Sequence, residues 1–430
     1  MNGIESKIGR LVKSKNYISL MLLCCMTFAL TKLSYRYVSD IFQTILFIGT
    51  LLAFYIERHR VIKDKAFIII LASIFIPILS WINSKIFMPE HSLAIPKVSA
   101  IINFYFFFFI AFWLSGNKKY IYFFWASFVV GCILTTISHS ENFLNDIILG
   151  LKGHRIDFAY INANHSAALF GMCTLLGVYY LPLIIKNNCR QYLHLEKFFY
   201  LFILLFCFFI TLVTQSRQVW LAISISILII ILLKSFSLTK KRITIIYLAI
   251  GSLILLTSLI SILNIPFVYN RVTQEFDVIP FFMSWDINQI PFTSMGIRLH
   301  FWFESIAWIK QYPLFGIGQN GRELVIALSE NLPEYIINEF SHLHNGHIET
   351  IVNYGLLGYF SFITMFYYII KSSNYYKESN EFLILSIVFI SYFFIINMFE
   401  SFLSFKSGAY LFNCIAAGVY SFKLKEEINQ

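Results

Sequence analysis

Apolar residues in this chain gather into runs of roughly 20, the length that crosses a bilayer as a helix, and polar residues gather between the runs. Twelve such runs occur, at 17–34, 38–56, 66–83, 98–115, 120–137, 165–185, 198–213, 218–233, 243–264, 348–370, 382–398 and 404–421, and they predict an all-α polytopic membrane protein with about 12 transmembrane helices. The seventh and eighth are short and joined by little more than "TQSR" (214–217), which predicts a tight helical hairpin. Two hydrophilic stretches stand out, 138–164 and the much longer 265–347. A loop of that length is usually functional or structured. The longer one carries helical patterning of its own. "LHFWFESIAWIKQ" repeats apolar residues at helical spacing and stops at Pro313, and "NLPEYIINEF" reads as a short helix with Pro333 near its first turn. The chain therefore divides into transmembrane helices 1–9 (1–264), a large loop (265–347), and helices 10–12 with a tail (348–430). No tandem repeat is present, and no cleavage site follows the first apolar run, so no cleavable signal peptide is expected.

Composition narrows the class. Of 430 residues, 58% are hydrophobic and only 13% charged, which excludes an ordinary soluble domain. The net charge of +10 does not point to nucleic acid, because 21 of the 33 basic residues fall in seven of the connecting and terminal segments, starting with 1–16. That bias places both termini in the cytoplasm and the two long loops outside it. Six of the seven cysteines fall in spans and Cys189 in a short basic loop, so neither a disulfide nor a cysteine metal site is expected.

Against this apolar background, clusters of polar residues are costly and need a reason. "SHLHNGHIET" (341–350) stands at the mouth of the tenth run. If a helix began at 342, His342, Asn345, Glu349 and Asn353 would share one face and His344 would lie on the other. If His344 acts in the same cavity, the helix must begin at or after it, leaving His344 in an irregular turn. A zinc site of His342, His344 and His347 is disfavoured, since the spacing is not the helical pair of metalloproteases. Arg217 opens the eighth run without an acidic neighbour in sequence, as an interfacial anchor or as a phosphate ligand. Arg298 opens a helix in the long loop. Gly316, Gly318 and Gly321 spell G-x-G-x-x-G, but no strand precedes them, so a turn re-entering the membrane surface is the better reading, with Arg322 beside it able to touch an anion. Asn162, Asn164 and His165 open the sixth run, where helix capping and a sugar contact stay open as alternatives.

In order, "TQSR" between two spans, "TSMGIR" (293–298) in one long loop, "YPLFGIGQNG" (312–321), and "HLHN" (342–345) followed by "YGLLGYF" (354–360) resemble the O-antigen ligase and polymerase superfamily of bacterial inner membranes. The motifs cover roughly 160–365, and the first five spans match in hydropathy only. Within the superfamily the chain looks most like the lipopolysaccharide O-antigen ligases. The resemblance implies a GT-C type glycosyltransferase, metal-independent and without cofactor. Such an enzyme moves a finished O-polysaccharide from undecaprenyl diphosphate to lipid A–core on the periplasmic side. Carried over residue by residue, His344, Arg217 and Arg298 match the catalytic positions, and His342, Asn345, Arg322, Asn164, His165 and Glu349 are candidates for substrate binding. Gln218 and Trp220 follow no family pattern, and His342 and His347 leave open which histidine acts.

The chemistry is coherent by itself. Outside the cytoplasm a sugar donor must arrive activated, and the departure of a diphosphate develops negative charge that preorganised arginines stabilise. The acceptor hydroxyl needs a base, which a neutral histidine supplies. An O-antigen polymerase is the alternative; polymerases more often carry basic residues on two sizeable loops, whereas 265–347 dominates here. A protein O-oligosaccharyltransferase is disfavoured because such proteins often end in a soluble domain and this chain ends "KLKEEINQ". A glycolipid transporter would show inverted repeats or helices broken near the membrane centre, for which Pro77 is the one sign.

Overall fold

A computed structural model describes residues 3–186, 193–236, 241–276, 278–283 and 287–426 of the chain. Cys189 lies outside the described residues. Within them the protein is helical and has no strand. All twelve apolar runs fall on helical segments. Seven described helices are long and apolar enough to cross a membrane, among them Lys65–Phe87, Ala163–Ile185 and Arg217–Phe236; Lys15–Thr31, Asn103–Leu114 and Glu381–Asn397 are apolar but shorter. The protein is thus a polytopic membrane protein. The hairpin expected at "TQSR" is present, with Leu193–Val213 and Arg217–Phe236 joined by three residues.

Aromatic rings fill the centre of the bundle. Phe104, Phe362, Phe393 and Phe412 meet with centroids 5.2–6.3 Å apart. Between helices in lipid no hydrophobic effect drives association, so such dispersion contacts and close backbone approach must do it. At Gly131 an added Cβ would lie 2.8 Å or less from the Ala29 and Leu30 carbonyl oxygens, so only glycine lets Lys118–His139 lie this close to Lys15–Thr31. The outer helices expose long rows of Ile, Leu and Phe, and Arg242–Leu263 buries none of its most apolar window. In water that surface would be an aggregation hazard, whereas against acyl chains it is the solvent-facing side.

Two helices expected to be continuous are broken, which corrects the expectation that Pro77 is the one sign of interruption. The fourth run splits into Ser99–Ile102, a 3₁₀ turn at Asn103–Tyr105, and Phe107–Leu114. The Asn413 side chain fills the break: its Oδ1 accepts from Phe107 N–H at 2.7 Å and its Nδ2 donates to the Asn103 carbonyl at 2.6 Å. No local sequence signal marks this, because the cause lies some 300 residues away. The helix Gly346–Ser372 breaks at Gly355, where φ is 66°. The segment 313–318 lies against the break: Leu356 and Leu357 donate to the Pro313 and Leu314 carbonyls at 2.8 and 3.2 Å, and Ile317 and Gly318 donate to those of Val352 and Asn353 at 3.0 and 2.9 Å. This is the re-entering turn read from Gly316 and Gly318. The long loop has a small core of its own, with Phe301, Ile317, Val325, Ile336 and Leu343 buried together. It is therefore a folded cap, not a tether.

Candidate functional site

The site is assembled from four chain segments that meet at one end of the bundle. The first is the hairpin turn Thr214–Ser216. Gln215 adopts φ 50°, a left-handed conformation that costs a non-glycine residue energy and is kept only where surroundings enforce it. They do: Gln215 Nε2 donates to the Gly153 carbonyl at 2.7 Å, and Ile156 N–H donates to the Val213 carbonyl at 3.2 Å. This turn sets Arg217 at the first position of its helix. Arg217 Nη2 donates to Glu275 Oε1 at 2.7 Å.

Glu275, on the second segment, joins the first to the third. Its other oxygen accepts from the Met295 N–H and from Thr293 Oγ1, at the N-terminus of the helix Ser294–Gln311. A carboxylate there is favoured by the helix dipole. Burial alone would raise the Glu275 carboxyl, but hydrogen bonds from Arg217 and Met295 N–H hold it below the usual range. One turn along the same helix sits Arg298. Arg217 and Arg298, separated by 81 residues in sequence, therefore line one cavity of about 680 Å³.

The fourth segment carries His344. The helix begins at Gly346, and Asn345 caps it by accepting from the His347 and Ile348 N–H groups, both at 3.1 Å. The reading with His344 in an irregular turn is the one realised, at φ 52°. His344 lines the cavity with the two arginines. Its Nδ1 lies 3.2 Å from Glu400 Oε1. An ionised carboxylate only accepts, so Nδ1 carries the hydrogen and Nε2 keeps its lone pair. Burial pushes the His344 pKa below 6.5, against the opposing pull of Glu400. The imidazole is therefore neutral near pH 7.

Glu400 was not singled out in the sequence. It is fully buried, and its Oε2 accepts from Asn164 Nδ2 at 2.8 Å while Oε1 also accepts from the Ser401 N–H at 3.2 Å. Burial would raise its pKa, but hydrogen bonds from His342 and His344 hold it well below the ordinary carboxylate value. A carboxylate between two apolar runs was the available signal. Arg155 and Arg271, which also line the cavity, had no such signal.

The other candidates are distributed as follows. Asn164 lines the cavity, and its Oδ1 accepts from Arg155 Nη2 at 3.2 Å and Ser216 Oγ at 3.0 Å. Asn345 also lines it. His342 packs against His344 with ring centroids 4.0 Å apart and the planes tilted by 53°, and its Nε2 lies 3.5 Å from Glu400. His165 is buried behind the site against Ser407, Phe402 and Phe405. Arg322 and Glu349 pair with each other at 3.3 Å, and Glu349 also accepts from the Leu343 N–H, Ser401 and Ser404. Neither lines the cavity; together they lock the cap onto the bundle. His347 donates from Nε2 to the Phe394 carbonyl at 2.9 Å, away from the other histidines. The ligating atoms of His342, His344 and Glu400 do lie within 4.8 Å of one another, a donor set compatible with a divalent cation.

The cavity is also lined by apolar side chains, Leu221, Phe276, Ile279, Phe282, Met398 and Phe399. Residues 202–363 match the family model described as O-antigen ligase. The match spans the hairpin, the cap and the start of the tenth run, which carry most of the cavity's lining; Arg155, Asn162, Asn164, Met398 and Phe399 line it from outside the match. An uncharacterized protein of Haemophilus influenzae is 29% identical over 203 residues, covering 45% of this chain and 49% of that protein. The chain thus spans about half the length of the curated relative it matches.

Proposed function

We propose that this protein is an O-antigen ligase, a metal-independent glycosyltransferase of the GT-C type. It transfers O-polysaccharide from undecaprenyl diphosphate to lipid A–core at the periplasmic face of the bacterial inner membrane, with both termini in the cytoplasm. The observation that carries this reading is that Arg217, Arg298 and His344 line one cavity together with apolar side chains such as Leu221, Phe276 and Ile279. The diphosphate of the donor lies against the arginines, and the first isoprene units lie against the apolar side chains.

The acceptor hydroxyl approaches His344 Nε2, which takes its proton as the oxygen attacks the anomeric carbon. The bond from that carbon to the diphosphate oxygen breaks, and the electron pair leaves on undecaprenyl diphosphate. Arg217 and Arg298 stabilise the charge that develops. Attack opposite the leaving group inverts the anomeric centre. Glu400 holds His344 in the tautomer this needs and favours the imidazolium once it forms. The breaks at Gly355 and at 103–106 do not argue for transport, because the protein's own groups occupy both.

One observation favours the polymerase reading. Arg155, from the shorter loop, reaches the same cavity as the long loop, so both loops bring a basic residue to it. Complementation separates the two. In a ligase-deficient strain with a compatible O-antigen, the wild-type chain is expected to restore the lipopolysaccharide ladder. His344→Ala is expected to leave long chains on undecaprenyl diphosphate. Restoration of chain length in a polymerase-deficient strain, with none in the ligase-deficient one, would replace ligase by polymerase. Activity unchanged by a chelator is expected, and loss that zinc reverses would assign His342, His344 and Glu400 to a metal.

A further inference from the structure

The end of the bundle remote from the cap carries a second organised surface. The helix Lys65–Phe87 measures the separation. Toward its C-terminus Asn83 Nδ2 donates to the Gly316 carbonyl at 2.7 Å and Ser80 Oγ accepts from the Gly318 N–H at 2.8 Å, so that end meets the cap. Its first residue lies about 25 Å back along the axis, close to the thickness of a hydrocarbon core. There the first helix, Gly3–Val12, packs against the end of Arg36–Ile56. Ile8 is half-buried against the core and Val12 is buried in it, one turn apart on the inner face. Gly9 faces Ile56, and Glu5 Oε1 lies 3.5 Å from Arg58 Nη1 and accepts from Tyr55 Oη at 3.4 Å. Ser14 caps the next helix by accepting from the Tyr17 N–H at 3.3 Å, so the chain turns within two residues into Lys15–Thr31.

This packing unites two basic segments that are far apart in sequence, 1–16 and 57–65. Lys7, Arg10, Lys13 and Lys15 are exposed on the first, and Arg58, Lys63 and Lys65 on the second. Three acids stand among them, Glu5, Glu57 and Asp64. Asp64 is wholly buried and engaged elsewhere: it caps Lys65–Phe87 through the Ala66 N–H at 2.8 Å, accepts from Tyr420 Oη at 2.7 Å and lies 3.0 Å from Lys423 Nζ. With Glu5 and Glu57 set against the seven exposed cations, the surface keeps a surplus of five positive charges. Such charges repel one another over about 8–10 Å at ordinary ionic strength. The bias that orients membrane proteins does not require them to meet, because it acts on charges counted along each segment. Leu11 and Ile62, one from each segment, are 52% and 60% exposed among these cations. Exposed ammonium and guanidinium groups interleaved with large apolar side chains match an anionic lipid surface. The cations meet phosphate, and the apolar groups enter the acyl boundary.

We propose that Gly3–Val12 and the 57–65 connection form one docking surface for the headgroups of anionic glycerophospholipids in the leaflet remote from the cap. Each segment supplies about half of the charge, and the packing of the first helix onto 55–58 supplies the shape. The surface shares no residue with the cavity, so the proposal stands or falls separately from the transfer reaction.

The test titrates purified full-length protein with phosphatidylglycerol or phosphatidylcholine of the same acyl chains and counts retained lipid by native mass spectrometry. Wild type is expected to retain phosphatidylglycerol about tenfold more strongly, with a preference that falls as ionic strength rises. One variant combines Lys7→Gln, Arg10→Gln and Lys13→Gln, and a second combines Arg58→Gln, Lys63→Gln and Lys65→Gln. A control removes three exposed charges from the other end, by Lys97→Gln, Lys152→Gln and Lys310→Gln. Each of the first two is expected to lose at least about fivefold of the preference, the value of one charge beside an anionic surface, and the control to behave as wild type. Equal retention of the two lipids by wild type would overturn the proposal, as would a preference insensitive to salt. An equal loss in the control would reduce the effect to net charge, and displacement by soluble glycerophosphate as effective as by lipid would make the surface a free-anion site; either overturns it. Should one variant melt below wild type, the other variant and the salt series of wild type decide.

Discussion

At the scale of single residues, the proposed transfer rests most on two side chains, His344 and Glu400. The carboxylate fixes Nδ1–H of the imidazole and lowers the cost of charging it. The sign of its effect follows from charge. A negative Glu400 favours protonated His344, so Glu400→Gln removes that support and His344 becomes a weaker base. The acid limb of the rate, where His344 becomes protonated, is then expected to move to lower pH, and the rate at pH 7 to fall by about a hundredfold. A pH profile of glycan transfer checks this. A fall in rate with an unmoved limb would make Glu400 a structural residue. His344 was legible from its neighbours in "HLHN", because ionisable groups at the mouth of an apolar run are expensive and seldom idle. Glu400 obeys the same rule in "NMFESF" (397–402), but no ionisable neighbour stands beside it to mark a site.

At the scale of elements, the cap and the bundle are held together by a broken helix and a buried ion pair. The side chain of Glu349 is wholly buried and that of Arg322 nearly so. Removing one partner of such a pair leaves a buried charge uncompensated, at about 3–5 kcal/mol. Arg322→Gln is therefore expected to lower the melting temperature in detergent while the folded fraction keeps its affinity for undecaprenyl diphosphate. Loss of affinity without loss of stability would place Arg322 in the donor site after all. Gly355 is the other joint. Its φ of 66° disfavours any side chain, and a Cβ there would lie 2.2 Å from the Leu314 backbone. Gly355→Ala is expected to release the 313–318 segment and to reduce folded yield, read by size-exclusion chromatography. The helices themselves were legible, because apolar run length is a local property. The breaks were not, because Asn413 and the 313–318 backbone come from distant segments.

At the scale of the whole molecule, orientation is the claim that charge makes and geometry alone does not. The excess of Lys and Arg in the short connecting segments predicts that the cap and its cavity lie outside the cytoplasm. Six cysteines among the described residues are buried, which makes labelling of new ones clean once the wild-type signal is subtracted. Glu330→Cys, exposed in the cap, is expected to react with an impermeant maleimide on intact inner-membrane spheroplasts. Lys119→Cys, exposed at the start of the helix Lys118–His139, is expected to react only after permeabilisation. The reverse pattern would invert the protein and remove the periplasmic donor from its site.

The sequence by itself determined the class of protein, the hairpin, the existence of a folded cap, and five residues that line the cavity, Arg217, Arg298, His344, Asn164 and Asn345. Those depend on run length, local spacing and motif order, which are written along the chain. The tertiary structure decided which groups share the cavity: that Arg217 meets Arg298 through Glu275, that Arg155 and Arg271 join them, and that Glu400 stands behind His344. It also decided that Arg322 and Glu349 serve each other and do not line the cavity. The reason is physical. A charge in an apolar setting must find its partner in space, and the partners here lie between 27 and 58 residues away in sequence.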